Sequence, residues 1–253
     1  IAAGLANYGK IPFISSYAVF SPGRNNEQIR TTISINNVPV KIAGAHAGIS
    51  VGPDGATHQA LEDIALMRVQ PNMTVLVPCD AIETQKATIA LVDKCSGPAY
   101  LRFGREKSPV FTTEKTPFEI GKAIILRQGK DLTIVGCGML LYNALVAAEE
   151  LSKENIEATV INSHTIKPLD ISTIINSVKE TKAVVTVEEH QVMGGLGSAV
   201  AEVLSQHFPV PQEFIGVHDR FGESGEPDEL IEHFGMGVKD IKAAAMRVIK
   251  RKS

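Results

Sequence analysis

A glycine-rich segment at residues 44–59 contains the side chains of this sequence that are best suited to acid–base chemistry. It reads GAHAGISVGPDGATHQ and includes His46, Asp54 and His58. Imidazole groups exchange protons near neutral pH, and a nearby carboxylate can take part in the same proton transfers. Glycines let the backbone approach a ligand closely. Because long loops in compact domains are usually functional, the segment predicts a substrate site.

Two other interpretations of segment 44–59 stay open at this point. The two histidines and the aspartate could bind a metal ion, although they lack the i, i+4 spacing of helical metal ligands. The polar groups could also serve only the backbone of a long turn. If His58 lies in the first turn of a following helix, the helix dipole favours its neutral, basic form.

Alternating strand-like and helical patterns must position this segment. The strand-like runs cover residues 11–15, 38–43, 74–77, 99–103, 132–135, 158–161, 184–187 and 214–217. The helical patterns cover residues 1–8, 25–35, 61–69, 81–92, 141–151 and 241–248. This alternation predicts an α/β fold with largely parallel sheets flanked by helices. In open sheets of this kind, ligands bind at the carboxyl ends of strands, which is where segment 44–59 begins.

The predicted fold has two consecutive α/β domains. Periodicity disappears over residues 105–117, which are rich in Lys, Ser, Thr and Pro, and the alternation restarts afterwards. We therefore expect one domain at residues 1–112, a linker at 113–118 and a second domain at 119–253. The chain begins as if within a helix, so we expect part of the first domain to be missing upstream.

Composition excludes several classes of protein. The 253 residues are 44% hydrophobic and 21% charged, which excludes a disordered chain. The net charge of −3 provides no basic surface for nucleic acid or an acidic membrane. No apolar run approaches the roughly 18 residues that a membrane span requires. The three cysteines form no CxxC motif and no secretory signal is present, so we expect a cytoplasmic protein.

Two further glycine-rich motifs follow strand-like runs in the second half. Residues 136–138 (GCG) precede a helix, but the third glycine of a dinucleotide-binding fingerprint is replaced by Leu141, so we expect a structural turn. Residues 194–197 (GGLG) also precede a helix and could bind an anion, although we favour close backbone packing.

Segment 44–59 closely resembles the pyrimidine-binding domain of the transketolase family of thiamine diphosphate enzymes, through its G-x-D-G-x-T-H-Q ending. The resemblance continues at residues 71–73 (PNM), 77–80 (VPCD) and 97–105 (GPAYLRFGR). Residues 187–190 (VEEH) and 194–197 (GGLG) resemble the C-terminal domain of the family. Together these motifs span nearly the whole chain, which therefore resembles the second half of a split transketolase or a fragment of an intact one.

The resemblance implies roles for the chemically active side chains of the segment. His46 is expected beside the phosphate or terminal hydroxyls of a sugar, and His58 beside the carbonyl oxygen at the reacting carbon. Asp54 is expected to bind a hydroxyl group of the donor and to select its stereochemistry.

A strand end further along the chain supplies the expected anion ligand. Arg105 matches the arginine that binds the acceptor phosphate, a task suited to a guanidinium group. Arg102 is predicted to join it, with a solvated charge at the strand end as the alternative. The family commonly has serine before the phosphate-binding arginine, whereas this chain has Gly104.

The resemblance also implies a cofactor site. Tyr17 and Phe20 match the aromatic residues that pack on the aminopyrimidine ring of thiamine diphosphate, with ordinary core packing as the alternative. The segment 21–26 departs from the family pattern, and an expected third aromatic residue is not evident. The family's glutamate that binds the pyrimidine ring lies in a helix preceding Ile1. The cofactor is therefore expected to be shared with a partner, which holds its diphosphate through Mg²⁺ or Ca²⁺.

The implied activity is transfer of a two-carbon ketol unit from a ketose phosphate to an aldose phosphate. The implied partner is a diphosphate-binding transketolase subunit or domain, in a homodimer or a heterotetramer. Three alternatives remain: a 1-deoxy-D-xylulose-5-phosphate synthase, which uses pyruvate as donor; the β subunit of a 2-oxoacid dehydrogenase; and a non-catalytic partner subunit.

Overall fold

The computed structural model describes residues 1–252, which form two five-stranded sheets flanked by helices. The strands are β1 (Phe13–Tyr17), β2 (Lys41–Ala45), β3 (Thr74–Leu76), β4 (Ala99–Arg102), β5 (Ile124–Arg127), β6 (Leu132–Gly136), β7 (Ala158–Asn162), β8 (Thr165–Lys167), β9 (Val184–Gln191) and β10 (Gln212–Val217). The helices are α1 (Ala2–Asn7), α2 (Asn26–Ile29), α3 (Asp63–Arg68), α4 (Ala81–Asp93), α5 (Leu141–Ser152), α6 (Ile171–Thr181), α7 (Leu196–His207), α8 (Pro227–His233) and α9 (Val238–Lys250).

Both sheets are mainly parallel, as the alternating pattern predicts. The first has the order β1-β2-β4-β3-β8 and the second the order β10-β9-β6-β7-β5. Antiparallel pairing occurs only at one edge of each sheet in the described chain, where β8 pairs with β3 and β5 with β7. The central strands β6 and β7 are buried along their whole length, because helices cover both faces of a parallel sheet.

The two sheets share one of the hydrophobic cores. Ile42 and Val75 of the first sheet belong to the same buried cluster as Ile161 and Val184 of the second. Strand β8 also crosses from the second half of the chain to extend the first sheet, where Thr165 is paired with Leu76. Residues beyond the predicted linker therefore help to complete the first sheet.

The predicted strands are present, with boundaries that move by up to four residues. The run at 11–15 becomes β1 at 13–17, and the run at 38–43 becomes β2 at 41–45. The helical pattern at 25–35 is divided into the short α2 and a π-helical turn, Arg30–Ser34. The patterns did not predict β5 or β8, which have four and three residues and pair only with distant parts of the chain. No helix within residues 1–252 is long and apolar enough to cross a membrane.

Candidate functional site

The candidate site lies where three neighbouring parallel strands end. Strands β1, β2 and β4 are adjacent, with Tyr17 opposite Ala45 and Gly44 opposite Arg102. Parallel strands end at the same edge of a sheet, so the segments that follow them meet. His46 follows β2 directly, and Arg105 lies three residues beyond the end of β4. The fold therefore brings together side chains from three separate parts of the sequence.

Aromatic and imidazole rings form the first part of the site. The rings of Tyr17 and His46 stack with centroids 4.0 Å apart and planes 10° apart. His58 presents its edge to both Tyr17 and Phe20, at centroid distances of 5.8 and 5.5 Å. These four half-buried side chains therefore form one cluster, in which edge and stacked contacts are both favourable. On its own side, Phe20 also contacts the guanidinium carbon of Arg24, 4.7 Å from the ring centroid.

An arginine and a carboxylate form the second part of the site. Nη1 of Arg105 donates a hydrogen bond to the carbonyl oxygen of Val51 (2.9 Å) and lies 3.3 Å from Oδ1 of Asp54. Both Arg105 and Asp54 are exposed, so this ion pair adds little stability. The guanidinium group keeps other N–H donors for an anion, since it has five in total.

The electrostatic environment of His46 favours its neutral form. Burial lowers the pKa of His46, and the positive charge of Arg105 lowers it further, while Asp54 opposes the shift. Its Nδ1 atom is buried and has no hydrogen-bond partner in the described part of the chain. His46 also has a positive φ of 52°, which is uncommon for a residue other than glycine. Its surroundings therefore disfavour the charged imidazolium form and leave Nδ1 without a protein partner in the described residues.

His58 does not lie in the first turn of a helix. The prediction that a helix dipole favours its neutral form was therefore wrong. Segment 49–54 (Ile49–Asp54) is a 3₁₀-helix, and α3 begins only at Asp63. His58 occupies the turn between them, where its Nδ1 atom lies 2.9 Å from Oγ1 of Thr57. The polar contact with Thr57 orients the imidazole ring instead. The dipole argument failed because the chain forms a turn after Gly55, so that the next helix, α3, begins only at Asp63.

Arg102 is buried, and its side-chain hydrogen bonds go to groups other than the predicted site residues. Its side chain is 5% exposed, its Nε atom donates to Oδ2 of Asp63 (2.8 Å), and its Nη2 atom donates to the carbonyl oxygen of Glu189 (2.7 Å). The alternative of a solvated strand-end charge was wrong, because the guanidinium is enclosed between the two sheets. Arg102 also lines the cavity beside the site, so its assignment as a phosphate ligand stays a prediction.

The loop that carries the site is fastened by residues that the sequence did not identify as functional. Oε1 of Glu189, in β9, accepts a hydrogen bond from the backbone N–H of Ser50 (2.6 Å). Nε2 of Gln59 lies 3.0 Å from the carbonyl oxygen of Ile49 and 2.8 Å from that of Glu223. The only sequence signal for Glu189 was the VEEH motif, whose position in the second half concealed its contact with the site.

The two other glycine-rich motifs have structural roles. Gly138 adopts a positive φ of 63° in the turn after β6, as predicted for a structural βα turn. The N-terminus of α7 is occupied by the chain's own Glu188 side chain, whose carboxyl oxygens accept hydrogen bonds from the N–H groups of Leu196 and Gly197. A Cβ atom at Gly195 would lie 2.0 Å from Glu188, so close packing also explains that glycine.

Beside the site, a cavity of about 550 Å³ extends between the ends of β3 and β4 and the turn after β6. Its lining includes Cys79, Arg102, Gly104, Lys107 and Glu189. Across residues 1–252, no group of three or more His, Cys, Asp or Glu side chains has the arrangement of a metal site. The metal interpretation of segment 44–59 therefore has no geometric support in this part of the chain.

Comparisons with known proteins agree with this architecture. The family model for the transketolase pyrimidine-binding domain matches residues 1–110, and that for the transketolase C-terminal domain matches residues 121–241. A subunit of 6-deoxy-6-sulfo-D-fructose transketolase from Clostridium sp. (strain MSTE9), SqwH, is 42% identical over all of this chain and 78% of its own length. A 1-deoxy-D-xylulose-5-phosphate synthase from Trichormus variabilis is 40% identical over all of this chain and 40% of its own length.

A solved structure gives the same result. The structure described as a split-gene transketolase, inactive β4 tetramer, superimposes with a TM-score of 0.94 at 46% identity and covers all of this chain and 80% of the other. With both family models matched in order and the α/β fold reproduced along the whole chain, this protein belongs to the transketolase family, of which it contains the pyrimidine-binding and C-terminal domains.

Proposed function

We propose that this chain supplies the pyrimidine half of a thiamine diphosphate site and the sugar-binding loop beside it. The reaction is transfer of a two-carbon ketol unit from a ketose phosphate to an aldose phosphate. The single observation that carries the proposal is the meeting of His46, His58, Asp54 and Arg105 beside the rings of Tyr17 and Phe20. Membership of a family of thiamine diphosphate transferases supports the same reaction class.

The side chains present fit the cofactor proposed for them. Tyr17 and Phe20 offer aromatic surface at a strand end, which suits a flat aminopyrimidine ring. The buried Nδ1 atom of His46 lacks a partner within residues 1–252, as expected where a ligand supplies one. Thiamine diphosphate, when bound, stabilises the carbanion that forms as the carbon–carbon bond breaks. Its diphosphate and the Mg²⁺ or Ca²⁺ ion belong to the partner subunit in this proposal.

Each polar side chain then has a defined task toward the sugar. His46 and His58 accept or return protons at hydroxyl and carbonyl oxygens near the reacting carbon. Asp54 accepts hydrogen bonds from sugar hydroxyls, and Arg105 binds the anionic end of the sugar with the N–H groups left free by Val51 and Asp54. The names of two relatives support an anionic substrate, because SqwH is named for a sulfonated sugar and a subunit from Phocaeicola vulgatus for apulose 4-phosphate.

The partner in this proposal is a diphosphate-binding subunit or domain, in a homodimer or a heterotetramer. The support is that two relatives matched over most of their length are themselves described as transketolase subunits. The three free cysteines, two of them buried, fit the proposed cytoplasmic setting. The domain division at residues 113–118 is also part of the proposal, and the gap between the two family matches at 111–120 supports it.

Pyruvate is the rival donor, because 1-deoxy-D-xylulose-5-phosphate synthases are also relatives of this chain. The pattern of that enzyme also includes D-G-x-T-H and paired arginines like Arg102 and Arg105. Arg102 lines the neighbouring cavity but donates hydrogen bonds to Asp63 and Glu189, whereas Arg105 is exposed. We retain ketol transfer because the relatives described as transketolase subunits are matched over most of their length, while the synthase from Trichormus variabilis is matched over 40% of its length.

The decisive assay combines this chain with its diphosphate-binding partner, thiamine diphosphate and Mg²⁺, and compares xylulose 5-phosphate with pyruvate as donor. We expect turnover with the ketose phosphate. Turnover with pyruvate alone would establish the synthase activity instead. Absence of turnover with either donor, in a complex shown to bind the cofactor, would support a non-catalytic subunit.

Two variants test the assigned roles in that complex. His58→Ala is expected to lower kcat by roughly 10²–10⁴, because general acid–base groups contribute on that order. Arg105→Ala is expected to raise KM for a phosphorylated acceptor much more than for glycolaldehyde, which has no phosphate. An equal effect on both acceptors would remove Arg105 from the anion site.

A further inference from the structure

Two neighbouring carboxylates of β9 hold two different pieces of backbone. Glu188 and Glu189 are both buried, and in an extended strand their side chains point to opposite faces. Glu188 accepts the N–H groups at the start of α7, whereas Glu189 accepts the N–H group of Ser50 in segment 44–59. Glu188 therefore binds a helix of its own domain, whereas Glu189 contacts the loop of the candidate site.

The contact between Glu189 and the loop is close and specific. The Ser50 N–H to Oε1 distance is 2.6 Å, and Glu189 is 4% exposed. A Cβ atom at Gly48 would lie 2.3 Å from the same oxygen, so the carboxylate lies directly against the backbone of the loop. Gly48 also has a φ of 93°, a conformation that side chains rarely permit. Only glycine at position 48 therefore leaves room for the Glu189 carboxylate.

Ser50, the residue bound by Glu189, lies in the middle of segment 44–59. His46 lies shortly before Ser50 in sequence and Asp54 shortly after it. The adjacent carbonyl oxygen of Val51 accepts the hydrogen bond from Arg105. His46 and Asp54 therefore belong to the stretch of backbone that Glu189 holds, and Arg105 donates a hydrogen bond to the same stretch.

Arg102 connects the same point to the first sheet. Its Nη2 atom donates to the backbone oxygen of Glu189, and its Nε atom donates to Asp63, the first residue of α3. The backbone of Glu189 is therefore joined through Arg102 to strand β4 and to the start of α3, the helix that follows segment 44–59. All three side chains are buried, so these contacts are shielded from water.

We propose that Glu189 is a positioning residue for the sugar-binding loop, through which the second sheet sets the locations of His46, Asp54 and Arg105. The proposal rests on the proposed function for the identity of the substrate, but the loop position itself is measurable without substrate. Displacements of about 1 Å in a catalytic group can lower rates by 10²-fold, so a carboxylate that holds the loop can govern both binding and turnover.

The experiment compares Glu189→Ala, Glu189→Asp and Glu189→Gln with Glu188→Ala as the matched control. The control also removes a buried carboxylate that accepts backbone N–H groups, but these belong to α7. The first measurement is the ring ¹H and ¹³C NMR resonances of His46 and His58 in the full chain alone. The second is kcat and KM for phosphorylated sugars in the complex with the partner, thiamine diphosphate and Mg²⁺.

We expect Glu189→Ala to shift the His46 resonances and to raise KM at least 10-fold, with a lower kcat. Glu189→Gln is expected to leave the His46 resonances at their wild-type positions and to keep KM and kcat within about 3-fold of wild type. Its amide oxygen can still accept a hydrogen bond from the N–H group of Ser50. Glu189→Asp keeps the charge but shortens the reach, so it is expected to shift the same resonances. Glu188→Ala is expected to lower the melting temperature while leaving the histidine resonances and KM unchanged.

Wild-type resonances and KM in both Glu189→Asp and Glu189→Ala would overturn the proposal, and so would equal shifts in Glu188→Ala. If Glu189→Ala does not fold, Glu189→Asp and Glu189→Gln decide the question. If the wild-type complex shows no turnover with sugar phosphates, the proposed function fails, while the NMR comparison still decides whether Glu189 sets the position of the loop.

Discussion

Replacing Arg102 with methionine is expected to destabilise the fold rather than to weaken anion binding selectively. The guanidinium is paired with Asp63, whose side chain is 1% exposed, and it donates to the backbone of Glu189. Methionine approximates the length of the side chain but supplies no donor. The Asp63 carboxylate would then keep only the hydrogen bond from Oη of Tyr100 (2.6 Å), with its charge uncompensated in the interior.

The expected loss follows from the cost of leaving one member of a buried ion pair alone. Breaking such a pair typically costs about 3–5 kcal/mol, which for a chain of this size lowers Tm by about 6–20 °C. The double variant Asp63→Asn with Arg102→Met removes both charges, so it is expected to lose less than the sum of the two single variants by about 1–3 kcal/mol.

The measurement is the free energy of unfolding from urea titration followed by circular dichroism. Arg105→Met is the control, because its ion pair with Asp54 is exposed and worth about 0–1 kcal/mol. A loss below about 1 kcal/mol in Arg102→Met, together with a selective rise in KM for phosphorylated sugars, would refute the structural role and restore Arg102 as an anion ligand.

Three further perturbations test other parts of the structure. Gly48→Ala is expected to lower the free energy of unfolding, measured by urea titration, by at least about 2 kcal/mol. The added Cβ would lie 2.3 Å from Glu189, and the residue has a φ of 93°. The control Gly4→Ala, where no atom lies within 4 Å of the added Cβ, should be neutral or stabilising. Asp170→Ala should lose about 1–2 kcal/mol, because its carboxylate accepts the N–H of Thr173 at the start of α6 and that of Ala123, and an unchanged Tm would contradict this role. Burial lowers the pKa of His164 to about 4 from its usual 6.5, so the folded protein binds fewer protons than the unfolded chain, and this contribution to stability is lost as pH falls from 6.5 toward 4. His164→Phe, which keeps the stacking on Phe118, should remove up to about 3 kcal/mol of that pH dependence, and parallel stability curves for the two proteins between pH 7 and 4 would refute the assignment.

The sequence by itself determined the α/β class, the identity of the central strands and the segment that carries the chemistry. Runs such as 99–103 and 132–135 were predictable because strands buried on both faces are mostly apolar and rich in aromatic or β-branched residues over a few positions. Segment 44–59 was predictable because glycines, histidines and an aspartate occur together after one of these strands, where a parallel sheet binds ligands. These properties are local in sequence, and the family resemblance added the expected role of each side chain.

Only the tertiary structure decided which charged groups face the site and which support it. Arg102 and Arg105 are three residues apart, yet Asp63 encloses one between the sheets while the other reaches the exposed Asp54. Glu189 was visible as part of a strand end, but its contact with Ser50 joins residues 139 positions apart. Strand β8 is likewise too short to form a pattern and exists because the unpaired edge of β3 accepts it. Such pairings depend on where distant segments meet in space, and no periodicity along the chain records that position.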